Sequence, residues 1–206
     1  MTALADLLAL LAAEEPVLPP ELGLAALLGV EPNLARFEAL VEIETGQLFA
    51  WDAERRLAAL LPDDALAVAR IAVRLEAPAA LRERLVAAVP DERARIVSWL
   101  SPREIRRAIY RIGAQAFRDR VMLAWAGSNR SAAAPQWRML LVYPDTWTPP
   151  DFPLSEAEIR ATGVELGPLA DRIRREVEEW WLDLDFTDDK MAAVERLKAV
   201  VQGLAY

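Results

Sequence analysis

The residues that could carry chemistry in this chain are carboxylates, hydroxyls, lysines and arginines, because it contains no cysteine and no histidine. This composition excludes disulfide scaffolds, zinc and haem sites built on Cys or His, thiol nucleophiles and His-dependent triads. Asp183-Leu184-Asp185 has a spacing that could hold Mg²⁺ on a strand, but on a helix positions i and i+2 point apart. We interpret it, together with Asp63-Asp64 and Asp188-Asp189, as structural. No phosphate-binding glycine loop is present, so we predict no catalytic residue, no metal ligand and no cofactor.

The strongest pattern is a basic segment in an acidic chain. Residues 93–138 contain ten arginines and only two acids, Glu104 and Asp119, so their net charge is +8, whereas the whole chain carries −8. Guanidinium groups without local counter-charges repel one another, and phosphates bind them bidentately. A solvated helix face is the alternative. The candidate polyanion-binding residues are Arg103, Arg106, Arg107, Tyr110, Arg111, Arg118, Arg120 and Arg130.

The seven tryptophans raise the possibility of base stacking on exposed rings. Most of them stand at helical spacing beside Leu, Ile or Val, so we interpret them as core residues. Trp51, Trp147 and Trp181 remain open to either interpretation.

Apolar residues repeat with helical spacing along nearly the whole chain, and no alternating stretch is long enough for a strand. The sequence therefore predicts an all-α protein. Predicted helices include one capped by Asp52, one capped by Asp63 or Asp64, and two short ones at 79–89 and 92–100. Ser101-Pro102-Arg103-Glu104 is a capping box with proline at the first helical position, and it predicts one helix from there to about Ala126. Gly113 lies inside this predicted helix and marks either close packing or a slight bend.

The C-terminal part is separated by a proline-rich stretch. A helix is predicted at 136–143, followed by a joint at 144–153 that we take as a domain boundary. Ser155 and Glu158 form a second capping box, Gly167-Pro168 begins a helix, and Thr187 or Asp188 caps the last one. We predict linking helices at 1–61, a helical body at 62–143 and a helical tail at 144–206.

Four groups of residues occur in a characteristic order. They are 41–45 with 55–62, Ile109-Tyr110-Arg111-Ile112-Gly113 with 117–120 and 123–126, the joint 147–154, and 162–168 with 174–181 and Asp185-Phe186. Together they resemble the body and tail of bacterial CCA-adding tRNA nucleotidyltransferases of the poly(A) polymerase (class II) family. This resemblance covers most of the chain, from about Pro16 to Val201.

The resemblance implies an all-helical module that grips tRNA, or another structured RNA, by shape and phosphate contacts. In that family, catalysis belongs to a head with a Gly-Ser turn and paired strand carboxylates, followed by a neck that reads CTP and ATP. This sequence lacks both, so we expect no nucleotide transfer by this chain alone, and Mg²⁺ and CTP or ATP would enter only with a separate head.

Two alternatives to an RNA-binding module stay open. The chain could be one subunit of a split nucleotidyltransferase, whose head and neck lie on another chain. It could instead be a helical scaffold for an acidic protein or for a second copy of itself. Because no apolar run is long enough to cross a bilayer, we predict no membrane partner and a cytoplasmic location.

Overall fold

The computed structural model describes residues 3–128, 133–186 and 189–203. The regular elements of these residues are all helical, with no strand among them, which confirms the predicted all-α class. The chain divides into two compact units, Met1–Trp147 and Thr148–Tyr206. We call them unit 1 and unit 2 and describe each separately.

Unit 1 is built from nine α-helices and one short 3-10 turn at Pro20–Leu22 within the described residues. The helices are α1 (Ala3–Leu11), α2 (Leu24–Leu28), α3 (Leu34–Gly46), α4 (Ala53–Leu60), α5 (Ala65–Arg74), α6 (Ala79–Ala87), α7 (Pro102–Ile112), α8 (Ala114–Gly127) and α9 (Ala134–Thr146). One apolar core joins them, with Leu7, Leu40, Leu57 and Phe117 all fully buried. Helix α8 is the central element, because it packs against α3, α4, α7 and α9.

Short polar side chains cap the starts of helices α4, α5 and α7. The carboxylate of Asp52 accepts hydrogen bonds from the backbone N–H groups of Glu54 and Arg55, and Asp64 accepts one from Ala67. Ser101 and Glu104 form the predicted capping box at the start of α7. These contacts satisfy backbone donors that have no partner inside the helix, and they confirm the predicted starts of α4, α5 and α7.

The prediction of one continuous helix from 102 to about 126 is wrong. The structure has two helices there, and the chain breaks at Gly113, whose φ is 81° and ψ 158°. Residues with a Cβ atom rarely adopt this backbone conformation, whereas glycine, which has none, adopts it freely. The arginines of residues 103–120 are therefore distributed over two helices rather than along one rod.

Two other predicted elements also differ. Residues 92–100 contain turns instead of a helix. The carboxylate of Asp91 accepts bonds from the N–H groups of Arg93 and Ala94, and such local side-chain bonds compete with helix formation. Helix α9 runs to Thr146 and includes Pro144, whereas we predicted that the helix would end before this proline.

Unit 2 consists of three helices in its described part: α10 (Glu156–Arg160), α11 (Pro168–Asp183) and α12 (Lys190–Gly203). Its small core contains Ile159, Ile173, Val177 and Leu197. The capping box of Ser155 and Glu158 and the start of α11 at Pro168 are confirmed. The predicted caps Thr187 and Asp188 lie outside the described residues. The carboxylate of Asp189 accepts a bond from the N–H of Ala192 at 3.1 Å.

Within the described residues, no helix has the length and apolar character that a membrane span requires.

Candidate nucleic-acid interface

Helix α7 carries five of the eight candidate residues on one side. Ile105 and Ile109 are fully buried and Ala108 is nearly so, and these residues attach the helix to the core of unit 1. Away from them, Arg103 is exposed and four further side chains are half-buried. The five residues on this side are Arg103, Arg106, Arg107, Tyr110 and Arg111. They follow the three- and four-residue spacing of a single helical stripe, and we call them the α7 stripe.

The C-terminal end of this stripe is fixed to the segment before α7. The guanidinium of Arg111 donates a hydrogen bond to the backbone carbonyl of Arg93 at 3.1 Å. The side chain of Arg93 is 80% exposed. The structure thus places an additional arginine beside the stripe that the sequence did not single out as a site residue.

Glu104, the acidic residue of α7, belongs to the capping box at the start of that helix. One of its carboxylate oxygens accepts the Ser101 N–H at 2.8 Å and the Ser101 hydroxyl at 2.7 Å. These hydrogen bonds hold the pKa of Glu104 below its ordinary value. Glu104 is therefore ionised at neutral pH and stabilises the positive end of the helix dipole, where a carboxylate is favourable.

The two candidates on α8 have a different environment. The guanidinium of Arg118 contacts the carboxylate of Asp145. Arg120 is only 6% exposed, and it donates to both carboxylate oxygens of Asp91 and to the carbonyl of Ala87. These bonds lower the pKa of the Asp91 carboxyl. The structure therefore pairs both Arg118 and Arg120 with carboxylates of unit 1, and Arg130 lies outside the described residues.

A buried ion cluster on α3 and α4 was missed by our sequence reasoning. The carboxylate of Glu44 is fully buried. One of its oxygens accepts from Arg55 at 2.7 Å, and the other from Arg56 at 2.6 Å. Arg56 also donates to the carbonyl of Leu11 at the end of α1. We call this the Glu44 cluster, and it ties three helices together inside the core.

A second ion cluster is centred on Arg84 of α6. Its guanidinium donates to Asp119 at 2.9 Å, Glu54 at 2.7 Å and Asp52 at 2.5 Å. Burial lowers the pKa of Arg84, but these carboxylates outweigh it and raise the pKa above its ordinary value. One of the two acids in the basic segment, Asp119, is thus used inside the fold.

A cleft of about 700 Å³ opens between α3, α8 and the segment before α7. Among its lining residues are the buried arginines Arg36 and Arg120 and the apolar Ile96, Leu123 and Ala124. Of these five residues, the sequence pointed only to Arg120. The sequence gives only a weak indication of the other four residues, because the lining of the cleft comes from four separated segments of the chain.

The tryptophans divide between core and surface. Trp125 and Trp137 are buried with nearly parallel rings whose centroids are 6.4 Å apart, and Trp181 is buried in unit 2. Trp147 is half-buried. Trp51 is 45% exposed and Trp99 is 74% exposed, so the most exposed indole of these six is one for which the sequence predicted a core position.

Within the described part of the chain, no group of three or more acidic side chains could hold a metal ion. The features that remain to be interpreted are the arginine-rich face of α7, the two ion clusters and the cleft.

No protein-family model matches the sequence, and a search among curated proteins found no significantly similar chain.

Proposed function

We propose that this chain is a binding module for tRNA or another structured RNA and that it contacts RNA phosphates through the α7 stripe. The observation that carries the proposal is the one-sided arrangement of α7. Four arginines and a tyrosine share the side of the helix that faces away from the buried Ile105 and Ile109. Anchoring in the core fixes the orientation of this side, so the guanidinium groups are pre-organised for a rigid polyanion.

The distribution of charge supports a polyanion rather than a single phosphate. The segment 93–138 carries +8. It includes Arg93, whose backbone carbonyl accepts a hydrogen bond from Arg111 and whose exposed guanidinium lies 3.9 Å from the carboxylate of Asp91. Long-range attraction by such a segment accelerates association with RNA even though the net charge of the chain is negative. The resemblance to the body and tail of CCA-adding enzymes also implies a structured RNA as the ligand.

The structure narrows the contacts that we propose. Arg120 is buried against Asp91 and Ala87, so we do not include it among the phosphate contacts. Arg118 contacts the carboxylate of Asp145, and it would have to leave this partner to bind RNA. In this proposal, RNA binding occurs without nucleotide transfer, which would require a separate head and neck.

The direct test is a filter-binding titration of tRNA at several salt concentrations. Removing one arginine–phosphate interaction should reduce the slope of log affinity against log salt by about 0.7–0.9. We expect this reduction for Arg106→Ala, Arg107→Ala and Arg111→Ala, each checked for folding by circular dichroism. Arg82→Ala is the matched control, because Arg82 is exposed on α6 and its replacement removes the same charge outside the basic segment.

Two results would contradict the proposal. One is the absence of tRNA binding by the folded chain at low salt. The other is a salt slope that changes as little in the three α7 variants as in Arg82→Ala. Saturable binding of an acidic protein, with no RNA binding, would instead favour the scaffold alternative.

A further inference from the structure

The cleft of unit 1 has the dimensions of a small-molecule site. Its volume is about 700 Å³, which is within the usual range of about 300–1,000 Å³ for ligand pockets. Its lining combines the start of α3, Asp63 before α5, the segment 90–96 and the second half of α8. Convergence of four separated segments on one concave surface is typical of binding sites rather than of a surface groove along one helix.

The polar lining includes buried arginines with remaining hydrogen-bond capacity. Arg120 uses three of its five N–H groups on Asp91 and Ala87, which leaves one on each terminal nitrogen within the described part of the chain. Arg36, 9% exposed, uses four on Asp63 and on carbonyls of residues 58–61. Both guanidinium groups are thus held in place by the fold before any ligand arrives.

The charges of the lining argue against a strongly charged ligand. Three guanidinium groups, from Arg36, Arg95 and Arg120, share the cleft with three carboxylates, and those acids are Asp63, Asp91 and Glu92. A phosphate-like anion would be repelled by the carboxylates, and a polyamine by the guanidinium groups. A purely apolar ligand would remove these charges from water without replacing their hydrogen bonds, which is costly.

A neutral ring system with both donors and acceptors on its edge satisfies these conditions. Its faces would contact Ile96, Leu123 and Ala124, while its edge would exchange hydrogen bonds with the guanidinium and carboxylate groups. We propose that this cleft binds a purine nucleobase, either in a free nucleoside or as an unstacked base of RNA. The proposal does not depend on phosphate binding by the α7 stripe.

The test is isothermal titration calorimetry of the full chain with adenosine and guanosine. We expect saturable binding of at least one purine nucleoside, and weaker binding of cytidine and uridine because a smaller ring buries less apolar surface. Ala124→Leu should reduce the affinity at least tenfold by filling the cleft. Ala65→Leu, an exposed position at the start of α5, is the matched control and should bind like the parent chain.

A second variant changes a charged residue of the cleft and leaves its apolar lining intact. Arg95 is exposed at the cleft, and Arg95→Gln should weaken nucleoside binding about two- to fivefold, whereas Arg82→Gln should leave it unchanged. The proposal is overturned if neither purine nucleoside binds saturably, or if Ala124→Leu and Ala65→Leu bind equally well. It is also overturned if pyrimidine nucleosides bind as tightly as purines.

Competition distinguishes the two sources of the base. Displacement of bound adenosine by a short oligoadenylate would identify an unstacked RNA base as a ligand, and failure to displace it would assign the cleft to a free nucleoside. Arg106→Ala separates this proposal from the proposed function. It should weaken tRNA binding without changing the affinity for adenosine, so either proposal can fail while the other holds.

Discussion

Helices α4 and α7 place the same residue type in opposite environments. On α4, Arg55 and Arg56 lie inside the core and share the buried carboxylate of Glu44. On α7, the arginines occupy the side away from the core, and Arg103 is exposed. Both helices are well capped, so local helix formation does not explain the difference.

The buried arginines of α4 and α6 are satisfied by acids that come from other parts of the chain. Glu44 is supplied by α3, and Arg84 of α6 is satisfied by Asp52 and Glu54 at the start of α4 and by Asp119 of α8. A buried guanidinium requires such partners, because an unpaired buried charge is strongly unfavourable. The number of arginines in a helix therefore does not indicate whether they bind an external ligand or hold the fold together.

The largest effect should come from removing the charge of Glu44. Glu44→Gln keeps the shape of the side chain but leaves Arg55 and Arg56 without their shared buried counter-charge. We expect the free energy of unfolding to fall by about 3–5 kcal/mol, measured by urea denaturation. Glu42→Gln is the matched control, because Glu42 is exposed on the same helix and should change stability by less than about 0.5 kcal/mol. Equal effects of the two variants would contradict the structural role of the Glu44 cluster.

A smaller effect is expected at the half-buried centre of the second cluster. Arg84→Gln leaves Asp119, which is 1% exposed, without its hydrogen-bonded cation. Because the Arg84 side chain is 20% exposed and water can replace part of the interaction, we expect a loss of about 2–3 kcal/mol. Arg82→Gln on the same helix serves as the control. A loss no greater than that of the control would mean that Arg84 is solvated like an ordinary surface arginine.

The exposed end of the α7 stripe should matter least for folding. Arg103→Gln should change the free energy of unfolding by less than about 1 kcal/mol, because exposed charges contribute little to stability. Urea denaturation in the same buffer as for Arg84→Gln makes the comparison direct. A loss as large as that for Arg84→Gln would place Arg103 with the structural arginines and weaken the proposed role of the stripe.

Local chemistry made the helix starts predictable. The caps at Asp52, Asp64 and Ser101 depend on residues within three positions of each other, and all three were predicted from the sequence. The break at Gly113 could not be distinguished from a slight bend, since glycine tolerates both conformations. The Glu44 cluster could not be predicted either. Its partners are 11 and 12 residues apart and meet only because α3 packs against α4.

The pH dependence of stability should distinguish the two regions further. Burial raises the pKa of Asp52, but hydrogen bonds and charge from Arg84 and Arg55 outweigh it, so its pKa lies below the ordinary 3.8. Hydrogen bonds from Ser101 lower the pKa of Glu104 below 4.5. A carboxyl group whose pKa is lowered by folding stabilises the protein above its unfolded-state pKa, and this stabilisation is lost as the pH falls through the folded-state value.

Both Asp52→Asn and Glu104→Gln should destabilise the protein less in acid than at pH 7. The loss of unfolding free energy at pH 7 should differ between the two variants. At pH 7, Glu104→Gln should cost only about 0.5 kcal/mol, since glutamine can still accept a bond in a capping box, whereas Asp52→Asn also removes an ion pair with Arg84. Urea titrations at pH 7 and at several values below pH 4.5 measure both differences. As protonation makes the parent carboxyl groups neutral, each difference should shrink towards the value for a neutral side chain. A cost of Asp52→Asn that stays constant across this range would show that Asp52 acts only as a helix cap, and the contrast between buried and exposed charge would then rest on Glu44 and Asp119.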